Sequence, residues 1–384
     1  MWGDPLVSIK RLLTNGTVNW APAGSPTQAQ IGRAGILQRL RMLTESSALT
    51  ITIGSAGSVA RDIWGPWNTY TQITVVPNDG APVRRHSGFG AYLDMIMRSV
   101  ESENFTPDTV AVSEINAEPI ASLYSFPTTA GSGQDFRFMI DLPLTQYIRS
   151  LEQEFGFFPT DNPQVQLTLN ATVAGNSAAS PFTISSGGNT AASATLFPYL
   201  TDSGSSATVG SPTIDVRRDV WQTPQNEADD PDYRFVVQTQ EDYPQGTNAN
   251  GATQQTYRFT ANSGILLRFA VGVVDGGSSL SESKLANSNS LELLYGVQEA
   301  KFQETGKAAH ARMQALLGYL PPQGVYIYDL LNGRRLDLAD TIDLSYYQEV
   351  KFNLNFSSAL SGSNSKVIVV HERLVPVLNV PRGR

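Results

Sequence analysis

The most constraining stretch of this chain is Val350 to Phe356, where Val350, Phe352, Leu354 and Phe356 alternate with Lys351, Asn353 and Asn355. Successive side chains of a strand point to opposite faces, so this pattern sets one face in a core and the other outside it. The surrounding sequence continues the theme. After a Gly/Ser/Asn loop at 361–365, Lys366-Val367-Ile368-Val369-Val370 reads as a strand covered on both sides. Upstream, Gly324-Val325-Tyr326-Ile327-Tyr328-Asp329 is a short β-branched and aromatic run, and Asn332-Gly333 is a dipeptide suited to a tight hairpin. Before these strands the spacing predicts one long helix from about Val297. Phe302, Ala309, Met313, Leu316, Leu317 and Leu320 share one face, and Lys301, Glu304, Lys307 and Arg312 occupy the other. Gly318 stops that helix, and Pro321-Pro322 forbids its continuation because proline lacks the N–H and clashes with the preceding turn.

The order of these pieces carries a resemblance. A helix ending in Gly and Pro, then Gly324-Val325-Tyr326 with Asp329, then Asp343-Leu344-Ser345, a strand closing on Phe356-Ser357, and Val367 to Val370 running into Glu372-Arg373-Leu374 resemble the second jelly roll of the double jelly-roll major capsid proteins. That family builds the shells of tailless icosahedral phages with an internal membrane, the tectivirus-like group. Gly88-Phe89-Gly90-Ala91-Tyr92-Leu93 opens a helical segment through Met97 and resembles the family's first jelly roll. The resemblance implies a mainly β fold of two tandem eight-stranded jelly rolls with a few connecting helices. It also implies a homotrimer of pseudo-hexagonal outline that tiles a virion shell with neighbouring trimers and minor capsid or vertex proteins.

The rest of the chain is consistent with two such domains. Leu49, Ile51 and Ile53 alternate with Thr50 and Thr52, and Thr71 to Val76 forms a strand that ends at Pro77-Asn78-Asp79-Gly80. Phe136 to Leu144 reads as a strand, and Thr145 to Phe155 as a helix with Tyr147, Ile148, Leu151 and Phe155 on one face. Val165-Gln-Leu-Thr-Leu-Asn170 then echoes Val350-Lys-Phe-Asn-Leu-Asn355, a repeat whose period fits tandem domains rather than a solenoid. Residues 174–212 are rich in Gly, Ser, Ala, Thr and Asn and serve as a long loop or linker. The boundaries that follow are an arm at 1–30, a first jelly roll at 31–210 and a second at 211–384. The second opens on Ile214, Val216 and Val220, and Phe235-Val236-Val237, Gln255 to Thr260 and Ile265 to Val274 follow as strands.

Composition bears on partners. Charged residues make up 16% of the 384 positions, against about 25% in ordinary soluble domains. That fits either a surface covered by neighbours or the ordinary scarcity of Lys and Glu in β proteins. A net charge of −8 without a Lys/Arg block argues against direct packing on nucleic acid. The absence of cysteine excludes disulfides and thiolate metal sites. No apolar run approaches the roughly 20 residues of a spanning helix, and no secretory leader is visible, so the expected place of synthesis is the host cytoplasm.

Catalytic patterns are missing: the chain has no G-x-S-x-G, G-x-x-x-x-G-K-[ST], G-x-G-x-x-G or H-E-x-x-H. His86, His310 and His371 have no ligand spacing, and the adjacent His371 and Glu372 point to opposite faces of a strand. Glu227, Asp229, Asp230 and Asp232, with Glu241 and Asp242 nearby, form the one acidic cluster, but lack the EF-hand spacing and its Gly. Trp64, Trp67, Tyr70, Trp221, Tyr233 and Tyr243 provide either a sugar platform, subunit contacts or core packing. The expectation is therefore no enzyme, no cofactor and no metal. A surface or secreted carbohydrate-binding or adhesin β-sandwich is the other reading that the residues leave open.

The candidate interaction residues lie at the N-terminus. Asp4-Pro5 is a helix start and Asn15-Gly16 a stop, with Leu6, Ile9 and Leu13 on one stripe and Lys10 and Arg11 off it. Trp2, Leu6, Ile9, Lys10, Arg11 and Leu13 are thus expected on a short amphipathic helix. It would meet either a neighbouring subunit, the membrane beneath a shell or its own domain. Residues 20–30, rich in Pro, Ala, Gly, Ser and Gln, read as its linker.

Overall fold

Strand β3, Ile36–Thr52, is the longest element. Leu40, Met42 and Thr44 are buried while Arg39, Arg41, Leu43 and Glu45 face the other way, the period-two pattern of a strand with one covered side. The structure, a computed structural model, describes residues 10–19, 26–52, 59–60, 70–98, 124–125, 130–173, 184–185, 199–200, 206–210, 213–222, 233–244, 249–261, 263–276, 278–285, 288–296, 299–317, 321, 323–331, 335–362 and 365–376. The chain divides into two compact units: Met1–Tyr92, Leu123–Gln238 and Pro376–Arg384 in the first, and Leu93–Ser122 and Thr239–Val375 in the second.

In the first unit β3 organises one sheet. Thr213–Trp221 and Ser206–Gly210 pair with it end to end along one edge, and Gly131–Pro143 and Phe158–Pro159 along the other. A second sheet runs from β2, Pro26–Gln30, through Leu167–Val173 and Tyr70–Pro77 to Arg84–His86. The two are tied by a buried hydrogen bond of 2.5 Å between the Thr44 and Tyr70 hydroxyls, with the Tyr70 ring 5.9 Å from that of Phe138. Leu40, Met42, Phe138, Ile140, Ile214 and Val216 meet Ile73, Val75, Leu169 and Ala171 in the core between them.

The second unit repeats the plan. Ile265–Asp275 is its central strand, with Lys366–Pro376 on one edge and Val325–Asp329 and Ile342–Asp343 end to end on the other. The facing sheet has four strands in the order Gln254–Phe259, Val350–Asn355, Leu291–Tyr295 and Glu299–Glu304. Its core is aromatic. Phe269 stacks on Tyr328 at 4.7 Å and meets Phe259 and Phe352 edge-on at 5.3 and 5.1 Å. The alternating strand behaves as its sequence requires, with Val350, Phe352 and Leu354 all buried.

Several expectations are corrected. The predicted long helix is a strand, Glu299–Glu304, followed by helix α2, Gly306–Leu317. Thr305 starts the helix by accepting from the Ala308 and Ala309 amides, so the helical period cannot extend back to Phe302, which lies across from Leu293. Of the expected buried face, Ala309 and Met313 are buried, whereas Leu316 and Leu317 are half-exposed and 318–320 lie outside the described residues. Thr145 to Phe155 is a small hairpin, Gln146–Ile148 against Gln153–Phe155 about a 3-10 turn at Arg149–Leu151. Tyr147 and Leu151, spaced as helix neighbours, both point to solvent, and the strand alternation that buries Ile148 prevails. Pro26–Gln30, expected in a linker, is a strand with Thr27 and Ala29 turned inward. Thr213–Trp221, expected to open the second jelly roll, pairs inside the first unit.

The N-terminal helix is corrected in part. Lys10–Asn19 is a strand, β1, paired with Thr213–Trp221, while residues 1–9 lie outside the described residues. Asn15-Gly16 is a β-bulge rather than a helix stop. Its register shifts between Thr14 and Gly16, Gly16 has φ +124°, and the Asn15 carboxamide donates to the Gln30 carbonyl and accepts from the Gly32 amide. Over Lys10–Asn19 sheet pairing prevails over the helical reading.

Candidate functional site

The predicted interaction residues divide accordingly. Trp2, Leu6 and Ile9 lie outside the described residues. Lys10, Arg11 and Leu13 sit on β1, opposite Trp221, Val220 and Arg218, and the Arg11 guanidinium donates to Gln222 at 3.2 Å. Among the described residues, β1 pairs with one strand only, so its other edge presents backbone donors and acceptors. Leu12 is 53% exposed beside it. Such an edge can accept another extended segment, while the bulge and the basic residues restrain indiscriminate pairing.

The same sheet carries a ladder of charges on its non-core face. Arg41 bridges Asp219 at 2.9 Å and approaches Asp141 at 4.0 Å. Arg39 reaches Asp141 at 3.5 Å, and Arg217 reaches Asp215 at 2.8 Å. Arg41 stands directly opposite Arg217, yet each cation has an anion beside it, so the face is internally neutralised.

Buried polar clusters lie in the second unit. Helix α1, Gly88–Arg98, carries Asp94 and Arg98 one turn apart; Arg98 bonds Asp94 at 3.2 Å and also bonds Glu372. Glu372 is fully buried and also faces buried Arg268 at 3.5 Å. On the opposite face of the same strand, His371 contacts Asp242 at 3.0 Å and the Tyr257 hydroxyl at 2.9 Å. The His371 and Glu372 side chains thus diverge as the strand reading requires. These contacts place a carboxylate and a phenol against the imidazole.

The remaining histidines are also interior. His86 is buried, and its Nδ1 lies 3.3 Å from the Ser87 carbonyl. His310 stacks on Tyr326 at 5.2 Å, and burial holds its pKa below the usual imidazole value despite a backbone contact with Val325. Next to it Arg312 lies over Tyr328 at 4.7 Å and bonds Glu304 at 2.8 Å. Burial opposes the Arg312 charge, but Glu304 and Tyr328 outweigh it and raise its pKa. Burial likewise raises the Tyr326 and Tyr328 hydroxyls, which stay protonated.

Of the aromatics considered as a platform, Tyr70 is buried and Trp221, Tyr233 and Tyr243 are half-buried; Trp64 and Trp67 lie outside the described residues. Glu227, Asp229, Asp230 and Asp232 do too, and Asp242 is engaged with Tyr257 and His371. Among the described residues no group of three His, Cys, Asp or Glu side chains is placed to hold a metal, and no helix is long and apolar enough to cross a membrane. Sequence reasoning missed the ion cluster. Its signal was there, in Arg268 within the apolar run Ile265 to Val274, and in the His371-Glu372-Arg373 triplet that follows Val367 to Val370 in a single strand.

Two sandwiches in one chain, each with a central strand flanked end to end, define a double jelly-roll fold. Comparison with solved structures agrees. The chain is similar to the major capsid protein of Sulfolobus turreted icosahedral virus, with a TM-score of 0.63, 13% identity, and coverage of 96% of this chain and 97% of that one. It is also similar to VP54 of PBCV-1, in a structure fitted into a reconstruction of the virophage Sputnik, with a TM-score of 0.59, 12% identity, and coverage of 96% and 93%. No protein-family model and no curated protein sequence matches the chain.

Proposed function

We propose that the chain is a major capsid protein, the structural subunit of an icosahedral virion shell, whose activity is assembly rather than turnover. The observation that carries this reading is the likeness to the turreted-virus capsid protein, which spans 96% of this chain and 97% of that one and so covers both sandwiches. Three copies of a double sandwich present six similar bodies, and a trimer of that outline fills a near-hexagonal lattice. In this reading neighbouring trimers, vertex proteins and any internal membrane are the partners. The open edge of β1, with Lys10, Arg11, Leu12 and Leu13, faces one of them. Light scattering on the purified chain tests the proposal: the expected mass is about three times 41.6 kDa, with closed particles seen by electron microscopy. A clean monomer across micromolar concentrations, with no particles, would overturn it.

A further inference from the structure

Asn15 is the extra residue in the bulge of β1. Thr14 stands opposite Arg217 and Gly16 opposite Val216, so the register with Thr213–Trp221 passes Asn15 by. Its side chain is engaged elsewhere. The carboxamide nitrogen donates to the Gln30 carbonyl at 2.8 Å, and the carboxamide oxygen accepts from the Gly32 amide at 2.7 Å. Between those two residues the Ile31 amide bonds Leu167, and successive peptide groups of an extended chain bond to alternate sides. Gln30 and Gly32 therefore turn away from Leu167–Val173, the one strand that β2 pairs with among the described residues. The Asn15 amide takes the place of a peptide group beside that edge, and so clasps β1, in one sheet, to the end of β2, in the other. Arg218, on the strand beside β1, donates to the carbonyl of the same Gly32.

The clasp rests on a chemically labile pair. In an Asn-Gly sequence the glycine nitrogen can attack the asparagine Cγ. A C–N bond forms, the Cγ–Nδ2 bond breaks, and ammonia leaves with the proton of the attacking nitrogen. Water then opens the resulting succinimide at one carbonyl or the other, to aspartate or isoaspartate. Glycine favours the attack because no Cβ crowds its nitrogen. At Gly16 the space is open as well, with nothing within 4 Å of where a Cβ would stand. We propose that Asn15-Gly16 is a deamidation site that stays intact while β1 is docked, and that its conversion releases β1 from β2. In the docked strand both carboxamide atoms are bonded, which holds Cγ away from the Gly16 nitrogen. Once β1 leaves the sheet, nothing restrains that approach. Aspartate has no N–H for Gln30 and sets a carboxylate against its carbonyl oxygen. Isoaspartate adds a methylene to the backbone of the bulge. Neither product can remake the clasp, so conversion records that β1 has been undocked and favours its staying so.

A second Asn-Gly pair provides an internal standard. At Asn250-Gly251 the nucleophile itself is tied down, because the Gly251 amide donates to the Leu360 and Ser361 carbonyls at 3.1 and 3.2 Å. The Asn250 carboxamide oxygen accepts from the Ser365 amide at 2.8 Å. These bonds lie in the second unit and do not involve β1.

Peptide mass spectrometry on the full chain, aged in mildly alkaline buffer, tests the proposal by following amide-to-acid conversion at Asn15 and Asn250. Conversion at Asn15 should be at least tenfold slower in the folded chain than in urea. Leu12→Pro with Leu13→Pro places proline at two consecutive residues whose amides point to opposite edges, so one of them removes a donor on the side of Thr213–Trp221. In that variant Asn15 should convert at the rate seen in urea while Asn250 remains slow. Asn15→Asp should speed hydrogen exchange of Lys10–Asn19 at least tenfold and leave that of Ile265–Asp275 unchanged. Three results would each overturn the proposal: Asn15 converting as fast in the folded chain as in urea, no acceleration in the double proline variant, or unchanged exchange of Lys10–Asn19 in Asn15→Asp. None of these readouts depends on oligomeric state, so the inference stands apart from the shell reading.

Discussion

The two sandwiches share a plan and differ in what joins their sheets. In the first unit the core between sheets is largely aliphatic, with one hydroxyl pair, Thr44 and Tyr70, spanning the gap. In the second a connected set of rings, Phe259, Phe269, Tyr328 and Phe352, fills it, and a buried ion cluster around Glu372 ties helix α1 to two strands. A ring set is sensitive to shape and a buried ion cluster to completeness, so the second unit should be the less forgiving of single changes.

The comparison can be broken in order of expected effect. Phe352→Asp places an unpaired carboxylate amid the rings and should unfold the second unit, at a cost above about 4 kcal/mol; limited proteolysis that leaves residues 239–375 intact would refute the shared core. Glu372→Ala removes the buried carboxylate that Arg98 and Arg268 share, leaving Arg98 with Asp94, and should cost about 3–5 kcal/mol in urea denaturation. A loss under about 1 kcal/mol would mean water reaches the cluster. Thr44→Val leaves the Tyr70 hydroxyl buried without that partner and should cost about 1–3 kcal/mol in the first unit.

His310 sharpens the contrast with pH. Its folded pKa lies below 6.5, so the folded state binds fewer protons than the unfolded one. The stability it contributes is complete above pH 6.5 and is lost as pH falls below that value. His310→Gln should flatten this dependence below pH 6.5, a difference of at most about 1.4 kcal/mol per pH unit. The smallest effect is expected in the charge ladder of the first unit. Arg41 is part-exposed, so Arg41→Gln should cost less than about 1 kcal/mol in urea denaturation, and less still at high salt.

The second unit was the more legible in sequence because its strands keep their faces pure. Val350, Phe352 and Leu354 alternate without exception, and Val367 to Val370 announce a strand covered on both sides. In the first unit the sequence reads as β from Gly35, but Arg39, Arg41 and Glu45 on the outer face of the longest strand interrupt its apolar signal and leave its length undrawn. Where strand and helix periods coincide over a few residues, strand pairing decides, locally in the hairpin about Arg149–Leu151 and over long range at Lys10–Asn19, which pairs with Thr213–Trp221. The edge-on contact of Tyr295 with Tyr347 at 5.0 Å was invisible for a related reason, since the two are far apart in sequence.

The placement of β1 also sets an order of events in folding. Its strand partner is Thr213–Trp221, and the Arg11 to Gln222 contact spans 211 positions. A chain emerging from the ribosome must therefore hold Lys10–Asn19 unpaired until some two hundred further residues have followed. β3 with Gly131–Pro143 can form earlier, and β1 can join that sheet only once Thr213–Trp221 is present, when its loop-closure entropy is offset by the sheet already built. During that interval the segment is available to pair with another nascent chain, and the rate of synthesis through Trp221 bears on whether it folds at home or is exchanged.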